Sequence, residues 1–308
     1  MKILITGSSG FVGRHLAPLI ASSNEVTLLG RRNTSNSPNF IEGTISEKSD
    51  NRSALKGVDV VVHCAARAHV MNECSIDPLS AYKEVNTKGT INLAKQAAEK
   101  GVKRFIFISS IKVNGESTKH NQAFCYNDIP APQDDYGVSK AEAEQELRTL
   151  GISTGMEIVI IRPPLVYGEG VKANFASLMQ LVGKGLPLPF RLLSKNKRSL
   201  VSVYNLIDLI NVCTYHPKAA NEVFLVSDDD DLSTAAMVEL MATVQGKTNM
   251  ALPIPIWFFK LAGKLLNKQK VVERLTGSLQ IDIEHTKNTL NWTPPHTVEH
   301  GFRRAVHR

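Results

Sequence analysis

Short apolar segments alternate with amphipathic stretches through the first half of the chain. The apolar runs predict buried strands, and the stretches between them repeat apolar residues at helical spacing. The predicted strands are Lys2–Thr6, Glu25–Leu29, Val58–His63, Arg104–Ser109 and Glu157–Arg162, and the predicted helices are Val12–Ser22, Asn86–Lys100 and Tyr136–Leu150. Strands that are apolar throughout and alternate with helices are typical of a parallel sheet covered on both faces. The pattern therefore predicts an α/β fold with a doubly wound parallel sheet.

The alternation changes after Arg162, where we expect Pro163 and Pro164 to end regular structure. A segment punctuated by Gly and Pro then runs to about Arg198. Beyond it the pattern predicts a helix at Leu200–Cys213, a strand at Glu222–Ser227 and a helix at Leu232–Gln245. We expect residues 1–165 to form the larger domain, with residues 200–227 returning to it. Residues 166–308 would then form mainly a smaller, substrate-binding domain.

The segment Ile256–Leu266 near the C-terminus is mostly apolar. A basic stretch begins within it at Lys264 and continues beyond it with Lys268 and Lys270. Such a segment can lie on a membrane surface, or it can be a helix packed on its own domain. We favour the packed helix, because that arrangement is the commoner of the two.

Composition narrows the possible partners. The chain has 308 residues, with 36 Lys and Arg against 29 Asp and Glu, which gives a formal charge of +7. Zinc-finger spacing and a basic DNA-reading helix are absent from the sequence, so we expect no nucleic acid partner and favour an anionic small ligand.

The cysteines form no CxxC pair, which predicts ordinary thiols and no metal site. The N-terminus does not resemble a signal peptide, and no apolar run reaches the roughly 18 residues of a spanning helix. We expect a cytoplasmic protein with no integral membrane segment.

The first strand runs into a glycine turn. Gly7, Gly10 and Gly13 have the spacing that permits a tight turn, a close approach of a pyrophosphate and close packing of helix on strand. The free N–H groups at the helix start favour an anion there. This context predicts a dinucleotide site with the residues Gly7, Ser9, Gly10, Phe11, Val12 and Gly13.

The end of the second strand indicates which dinucleotide binds. An NAD site usually has an acidic residue there, for the ribose hydroxyls, whereas this chain has Gly30-Arg31-Arg32. Two guanidinium groups suit a 2′-phosphate, so NADP(H) is favoured and NAD(H) stays possible. The alternative is that Arg31 and Arg32 belong to a solvated loop.

A candidate catalytic group follows the fourth strand. Tyr136 and Lys140 are four residues apart on a predicted helix and therefore share a face. We expect the Lys140 ammonium, together with the positive nicotinamide ring of the oxidised cofactor, to lower the pKa of the Tyr136 phenol, which is about 10 in a free tyrosine. Ser110, with Ser109 as the fallback, would orient a substrate oxygen towards Tyr136.

These residues resemble one family, the extended short-chain dehydrogenases of the nucleotide-sugar epimerase/dehydratase group. The resemblance covers nearly the whole chain and includes these motifs in order: Gly7/Gly10/Gly13, His63–Ala66, Val85–Thr90, Ser109–Ser110, Tyr136/Lys140, Arg162–Gly168 and Leu290–Pro294. It implies a Rossmann-type NAD(P)-binding domain with a smaller C-terminal substrate domain. Ile111-Lys112 departs from the Val-Tyr of many relatives, which leaves the sugar open.

The resemblance also implies roles for further residues. Ala65, Ala66 and Pro163 would line the cofactor cleft, and Asn86 would support the central helix beside it. Asn174 would bind the diphosphate of a UDP-sugar together with Arg198 and Arg274. A surface salt bridge is the alternative role of either arginine.

Hydride transfer at C4 of a UDP-sugar is the reaction that the resemblance implies. We favour reduction of UDP-4-keto-6-deoxy-GlcNAc to UDP-N-acetylquinovosamine for surface polysaccharides, because an exchangeable NADPH fits Arg31 and Arg32. The alternatives are a UDP-glucose or UDP-GlcNAc 4-epimerase and a non-catalytic NADP(H)-binding regulator. Asp134 and Asp135 are expected to cap a helix rather than serve as the extra base of a dehydratase. Relatives often dimerise through the helices that correspond to residues 86–100 and 136–150, so a homodimer is possible.

Overall fold

The computed structural model describes residues 1–34, 36–67, 77–119 and 122–306, and Cys74 lies outside these ranges. Its strands are β1 (Lys2–Thr6), β2 (Glu25–Gly30), β3 (Phe40–Glu42), β4 (Val60–His63), β5 (Arg104–Ile108), β6 (Glu157–Arg162), β7 (Leu165–Tyr167), β8 (Leu200–Ser202) and β9 (Val223–Leu225).

The helices are α1 (Phe11–Ala21), α2 (Pro78–Lys83), α3 (Thr90–Glu99), α4 (Asp135–Thr154), α5 (Ala173–Gly183), α6 (Val203–Tyr215), α7 (Thr234–Val244), α8 (Ile256–Leu265), α9 (Gln269–Thr276), α10 (Glu284–Leu290) and α11 (Val298–Val306). A π-helical turn at Glu84–Gly89 joins α2 to α3, and short 3₁₀ turns lie at Ile111–Val113 and Pro217–Ala219.

The main sheet has the strand order β3-β2-β1-β4-β5-β6-β9, and every pairing in it is parallel. Ile3 of β1 pairs with Val26 on one side and with Val60 on the other, so the winding reverses between β1 and β4. The carboxyl ends of the strands at such a reversal form the crevice in which doubly wound folds bind ligands. The predicted doubly wound parallel sheet is confirmed.

The core has two layers because side chains alternate across each strand. Ile3 and Ile5 point towards α1 and α6, whereas Leu4 points towards α3 and α4. All three are fully buried, which explains why β1 is apolar at successive positions.

The second half of the chain adds a smaller layer. β7 and β8 form a separate parallel pair, and Tyr167, Phe175, Met241 and Phe302 join β7, α5, α7 and α11 in one cluster. β9 returns to the main sheet beside β6. The division into domains at residue 165 stays a prediction.

Two predicted elements need correction. Leu200–Cys213 is not helical throughout, because Leu200–Ser202 forms β8 and α6 begins only at Val203, where the Ser202 hydroxyl accepts from the N–H of Asn205 at 3.2 Å. The segment after the two prolines also contains regular structure, since β7 begins at Leu165 and α5 occupies Ala173–Gly183.

The predicted helix near the C-terminus exists as α8, and it packs on its own protein through one face only, where Phe259 stacks on Phe190. Of its ten residues only Gly263 is buried, and Trp257, Phe258 and Leu265 are exposed. With ten residues α8 is too short to span a bilayer. None of the other helices in the described ranges is both long and apolar enough to span one.

Candidate functional site

The turn between β1 and α1 lies where the sheet reverses its winding. Gly7 has a φ of 71°, a left-handed conformation that favours glycine, and a Cβ there would lie 2.6 Å from the backbone nitrogen of Ala65. A Cβ at Gly13 would lie 2.2 Å from the carbonyl oxygen of Gly7. Both glycines are therefore required for the tight contact between the turn and the start of the helix.

The start of α1 is open to an anionic group. Gly10 is the N-cap residue and has no side chain to occupy the first turn, in which there is no acidic residue. Ser9 and Gly10 are exposed, and the N–H groups of Phe11, Val12 and Gly13 precede the first intrahelical bond, from Arg14 N to Gly10 O at 3.1 Å. These donors and the helix dipole fit the pyrophosphate of a dinucleotide.

The strand beside this turn is held by a buried polar network. The Thr6 hydroxyl accepts from the N–H of Ala65 at 3.2 Å and contacts His63 Nδ1 at 2.7 Å, while His63 Nε2 lies 3.0 Å from the Thr90 hydroxyl. Burial lowers the pKa of His63 to about 3, so the imidazole is neutral. The network positions Ala65 and Ala66 at the end of β4, and Ala66 is exposed there.

Asn86 links this edge to the helix that carries the catalytic candidates. Its amide oxygen accepts from Arg67 N at 2.8 Å, and its amide nitrogen donates to Arg67 O and to the Ser139 hydroxyl, both at 3.1 Å. The side chain is completely buried. We therefore expect Asn86 to position α4, the supporting role that the resemblance implies, rather than to contact the cofactor.

Tyr136 and Lys140 lie one turn apart on α4. The Asp134 carboxylate accepts from Gly137 N at 2.7 Å and begins the helix, which confirms its expected capping role, and Asp135 is the first helical residue. Lys140 is buried and donates to the carbonyl of Ile108 at 2.8 Å. This bond attaches α4 to the end of β5.

The chain by itself does not lower the pKa of Tyr136. Burial raises the pKa of Tyr136, and the Asp134 carboxylate and Tyr82 add to the increase. Burial also lowers the pKa of Lys140 to about 7, and its ammonium donates a hydrogen bond to the Ile108 carbonyl. The chain alone thus holds Tyr136 as a neutral phenol. The lowering expected with a bound nicotinamide stays a prediction.

The two serines at the end of β5 have different partners. Ser109 is buried, and its hydroxyl donates to Glu144 at 2.5 Å. Ser110 is half-buried and caps the 3₁₀ turn, where its hydroxyl only accepts, from Lys112 N at 3.3 Å. Within the described part of the chain, the Ser110 hydroxyl donates to no acceptor. Ser110 is therefore better placed than Ser109 to donate to a substrate oxygen.

A buried ion pair beneath these serines was missed by sequence reasoning. Arg162 donates to Glu144 at 3.0 Å through Nε and at 2.5 Å through Nη2, and to Asn114 at 3.0 Å through Nη1. The side chains of Arg162 and Glu144 are 1% and 3% exposed. The sequence marks each residue separately, since Glu144 follows Lys140 by one helical turn and Arg162 ends an apolar strand, but it does not indicate that the two meet.

Pro163 joins two of the loops at this edge. Its carbonyl accepts from Ile111 N at 3.0 Å, which connects the segment after β6 to the 3₁₀ turn after β5. The predicted contact of Pro163 with a cofactor stays a prediction.

The two arginines predicted to bind a diphosphate lie together. Arg198 donates through Nη1 to the carbonyl of Arg274 at 2.9 Å, and the Arg274 guanidinium lies 3.9 Å from Glu116. Glu116 accepts from Lys112 at 3.0 Å, and Lys112 also contacts Asp134. Polar contacts therefore connect the arginine pair to the N-cap of α4.

Three other predicted site residues lie at the surface. Asn174 is exposed at the second residue of α5, and no hydrogen bond in the described part of the chain connects its side chain to Arg198 or Arg274. Arg31 and Arg32 are exposed directly after β2. Their roles remain predictions.

Stability should depend on pH through Lys140. Its pKa is lowered from 10.5 to about 7 in the folded chain, so the unfolded chain binds more protons between these values. We therefore expect the wild type to gain stability relative to Lys140→Met as the pH rises above 7, by at most about 1.4 kcal/mol per pH unit. Urea unfolding of both proteins at several pH values measures this difference.

The exposed Lys56 provides the matched control. Lys56→Met should leave the pH dependence of the wild type unchanged. A difference between wild type and Lys140→Met that stays constant from neutral to alkaline pH would show that the ammonium is not held in a dry environment.

Comparison with known proteins places this geometry among sugar-nucleotide enzymes. A family model described as the NAD dependent epimerase/dehydratase family matches residues 3–227. A protein from Vibrio cholerae named UDP-glucose 4-epimerase is 56% identical over 309 residues, which cover 99% of this chain and 94% of that protein.

Two further proteins extend the comparison. The N-acetyl-alpha-D-glucosaminyl-diphospho-ditrans,octacis-undecaprenol 4-epimerase of Escherichia coli O157:H7 is 28% identical, with 99% of this chain and 94% of that protein covered. The crystal structure of UDP-glucuronic acid 4-epimerase from Bacillus cereus in complex with NAD has the same fold, with a TM-score of 0.78, 20% identity and coverage of 99% and 97%.

Proposed function

The chain belongs to the NAD dependent epimerase/dehydratase family, and from this premise we propose that it is a UDP-sugar 4-epimerase. The observation that carries the proposal is the 56% identity, over nearly the whole chain, to a protein named UDP-glucose 4-epimerase. This relationship favours the epimerase alternative of the sequence analysis over the 4-ketoreductase. The chain is an enzyme of this family, so the non-catalytic regulator is no longer a candidate.

The glycine turn and the start of α1 would hold the dinucleotide, with Lys140 near its nicotinamide ribose. When bound, the oxidised nicotinamide would supply an acceptor for hydride from C4 and, once reduced, a donor of hydride to either face of the 4-keto sugar. Tyr136 would take the proton of the C4 hydroxyl and give it back, and Ser110 would donate to the same oxygen. The protein keeps Tyr136 as a neutral phenol, so a positive charge beside it is needed before it can accept that proton.

Epimerisation requires that one part of the substrate stays fixed while the sugar turns. Arg198 and Arg274 are suited to this because Arg198 is held by the Arg274 carbonyl and both present guanidinium groups. Such groups bind phosphate oxygens with defined geometry. We propose that they hold the diphosphate, with Asn174 as a further contact.

The test is an assay of the purified protein with UDP-glucose and no added cofactor. Appearance of UDP-galactose supports the epimerase. The 4-ketoreductase is the second candidate, favoured by Arg31 and Arg32, and predicts net oxidation of NADPH with UDP-4-keto-6-deoxy-GlcNAc. Oxidation of NADPH without sugar interconversion would overturn the epimerase proposal.

Arg31 and Arg32 are proposed to select NADP(H), with NAD(H) as the alternative that the family favours. Charged hydrogen bonds to a phosphate contribute about 1.5–3 kcal/mol each. We expect Arg31→Ala with Arg32→Ala to weaken NADP(H) binding by about tenfold or more while changing NAD(H) binding little. Calorimetric titration with each cofactor measures the two affinities.

Arg191, also exposed, offers the control. Arg191 does not follow β2, and Arg191→Ala removes one positive charge from the protein. This change should leave the affinities for NADP(H) and NAD(H) unchanged. Equal losses for NADP(H) and NAD(H) in the double variant would contradict a specific contact with the 2′-phosphate.

A sugar diphosphate carried on a lipid is a second substrate class. The Escherichia coli relative is named for such a substrate, and the diphosphate that Arg198 and Arg274 would bind is common to both classes. The exposed apolar residues of α8 also favour a lipid-linked substrate, because they can contact a lipid surface. Parallel assays with UDP-GlcNAc and with N-acetylglucosaminyl-diphospho-undecaprenol would separate the two.

A further inference from the structure

Helix α8 carries two adjacent stripes of different chemistry. Phe258, Leu261 and Leu265 follow the spacing i, i+3, i+7, which places them on one face of the helix. Trp257 begins a second stripe with the same spacing, continued by Lys260 and Lys264. An apolar face bordered by lysines is typical of helices that lie in a membrane interface.

The apolar stripe has no cover within the described chain. Trp257 is 64% exposed, Leu265 77% and Leu266 68%, and Phe258 and Leu261 are about half exposed. We refer to these five residues as the α8 patch. Contiguous apolar side chains at this exposure mark a surface that meets another apolar phase.

The helix has a different face for its own protein. Phe259 stacks on Phe190 with ring centroids 6.1 Å apart, and a Cβ at Gly263 would lie 2.7 Å from a methyl carbon of Val272 in α9. These contacts fix the orientation of α8. The patch is therefore the outward side of a docked helix.

The segment of sequence that contains the patch carries charge of one sign. No Asp or Glu occurs between Glu239 and Glu273, and this stretch contains Lys247, Lys260, Lys264, Lys268 and Lys270. Within the described ranges, Lys260, Lys264 and Lys268 form no ion pair with a carboxylate. Such a surface complements an anionic partner.

We propose that the α8 patch docks the protein on the surface of a bilayer that contains anionic phospholipid. The aromatic and leucine side chains would enter the interface, while the lysines bind lipid phosphates and anionic headgroups. A second copy of this chain fits less well, because a symmetric contact brings identical patches, and hence their lysines, into proximity.

The docking surface and the proposed diphosphate site share one helical hairpin. α8 packs on α9, and near the end of α9 the carbonyls of Arg274 and Leu275 accept from Arg198 at 2.9 Å and from Thr234 at 2.7 Å. Contact of α8 with a membrane would thus hold this side of the site near the lipid surface. The inference does not depend on the reaction, since docking needs neither sugar nor cofactor.

Flotation of the full chain with vesicles tests the proposal. We expect binding to vesicles of phosphatidylglycerol and phosphatidylcholine, little binding to phosphatidylcholine alone, and release at about 1 M salt, where the Debye length is about 3 Å. Trp257 reports the contact directly, because its emission should shift to the blue while Trp292, 5% exposed, stays unchanged.

Two variants separate the contributions of the patch. Lys260→Gln with Lys264→Gln should lower the partition coefficient for anionic vesicles about tenfold or more. Trp257→Ser with Leu265→Ser should also lower this partition coefficient, because two apolar side chains no longer enter the membrane interface. Ile152→Ser is the matched control, since Ile152 is 88% exposed on α4, and thermal melts verify that all variants fold.

The outcomes distinguish the possible occupants. Failure of the wild type to float with anionic vesicles, or equal binding to neutral ones, overturns the proposal. So does a wild-type dimer that the α8 variants convert to monomer without any vesicle binding. Turnover of a soluble UDP-sugar, measured without vesicles, should be the same in the α8 variants, so loss of docking and failure of the proposed function are separate results.

Discussion

Replacing Tyr136 with phenylalanine is expected to lower kcat by about 10²–10⁴-fold, the contribution typical of a positioned acid–base group. The change removes one oxygen and keeps the ring, which packs edge-on against Tyr82 with centroids 6.0 Å apart. Asp134 continues to cap α4, and Lys140 keeps its bond to Ile108. Cofactor binding should therefore stay nearly unchanged.

Two measurements on the same preparation check this expectation: kcat for sugar interconversion, and cofactor affinity by titration. Tyr215→Phe is the matched control, because Tyr215 is 58% exposed at the end of α6 and has no proposed role. If Tyr136→Phe turned over at the wild-type rate, another group would have to move the proton. Loss of cofactor affinity together with kcat would instead indicate a binding defect.

Sequence reasoning succeeded where the determinants are local. Successive apolar residues in β1 are buried on both faces, so their pattern alone predicts a strand of a covered parallel sheet. Gly7 and Asp134 occupy positions where the backbone itself sets the residue type, a left-handed turn and an N-cap. Such signals can be read without knowing what the rest of the chain does.

Element boundaries were less predictable. β8 passes directly into α6 with no glycine or proline between them, and the apolar residues of both fit one helical pattern. The deciding signal is the capping hydroxyl of Ser202. After Pro163 and Pro164 the strand β7 forms because Leu165 pairs with Leu200, which lies far along the chain.

The partners of the candidate catalytic residues depend on tertiary contacts. The spacing of Tyr136 and Lys140 predicts a shared face, but it carries no information on the Ile108 carbonyl or on burial, which set the pKa of Lys140. Glu144 and Arg162 come from different elements and meet only in the folded chain. The same limit explains α8, whose pattern fits a packed helix and a surface helix equally well.

Glu144→Gln is expected to lower the free energy of unfolding by about 3–5 kcal/mol, the usual cost of removing one partner of a buried ion pair. The Arg162 guanidinium, 1% exposed, would keep its charge without the carboxylate. The bond from the Ser109 hydroxyl would weaken as well, because an amide oxygen accepts it without the negative charge of the carboxylate. Urea unfolding of wild type and variant measures the difference.

Two further variants identify the cause of that loss. Glu47→Gln breaks the half-exposed pair of Glu47 with Lys88, whose atoms lie 2.9 Å apart, and should cost only about 0–1 kcal/mol. Adding Arg162→Met to Glu144→Gln removes the unpaired buried charge and should restore part of the stability. Equal costs for Glu144→Gln and Glu47→Gln would mean that water reaches the Arg162 guanidinium. A double variant less stable than Glu144→Gln alone would instead assign the stabilisation to the bond between Arg162 and Asn114.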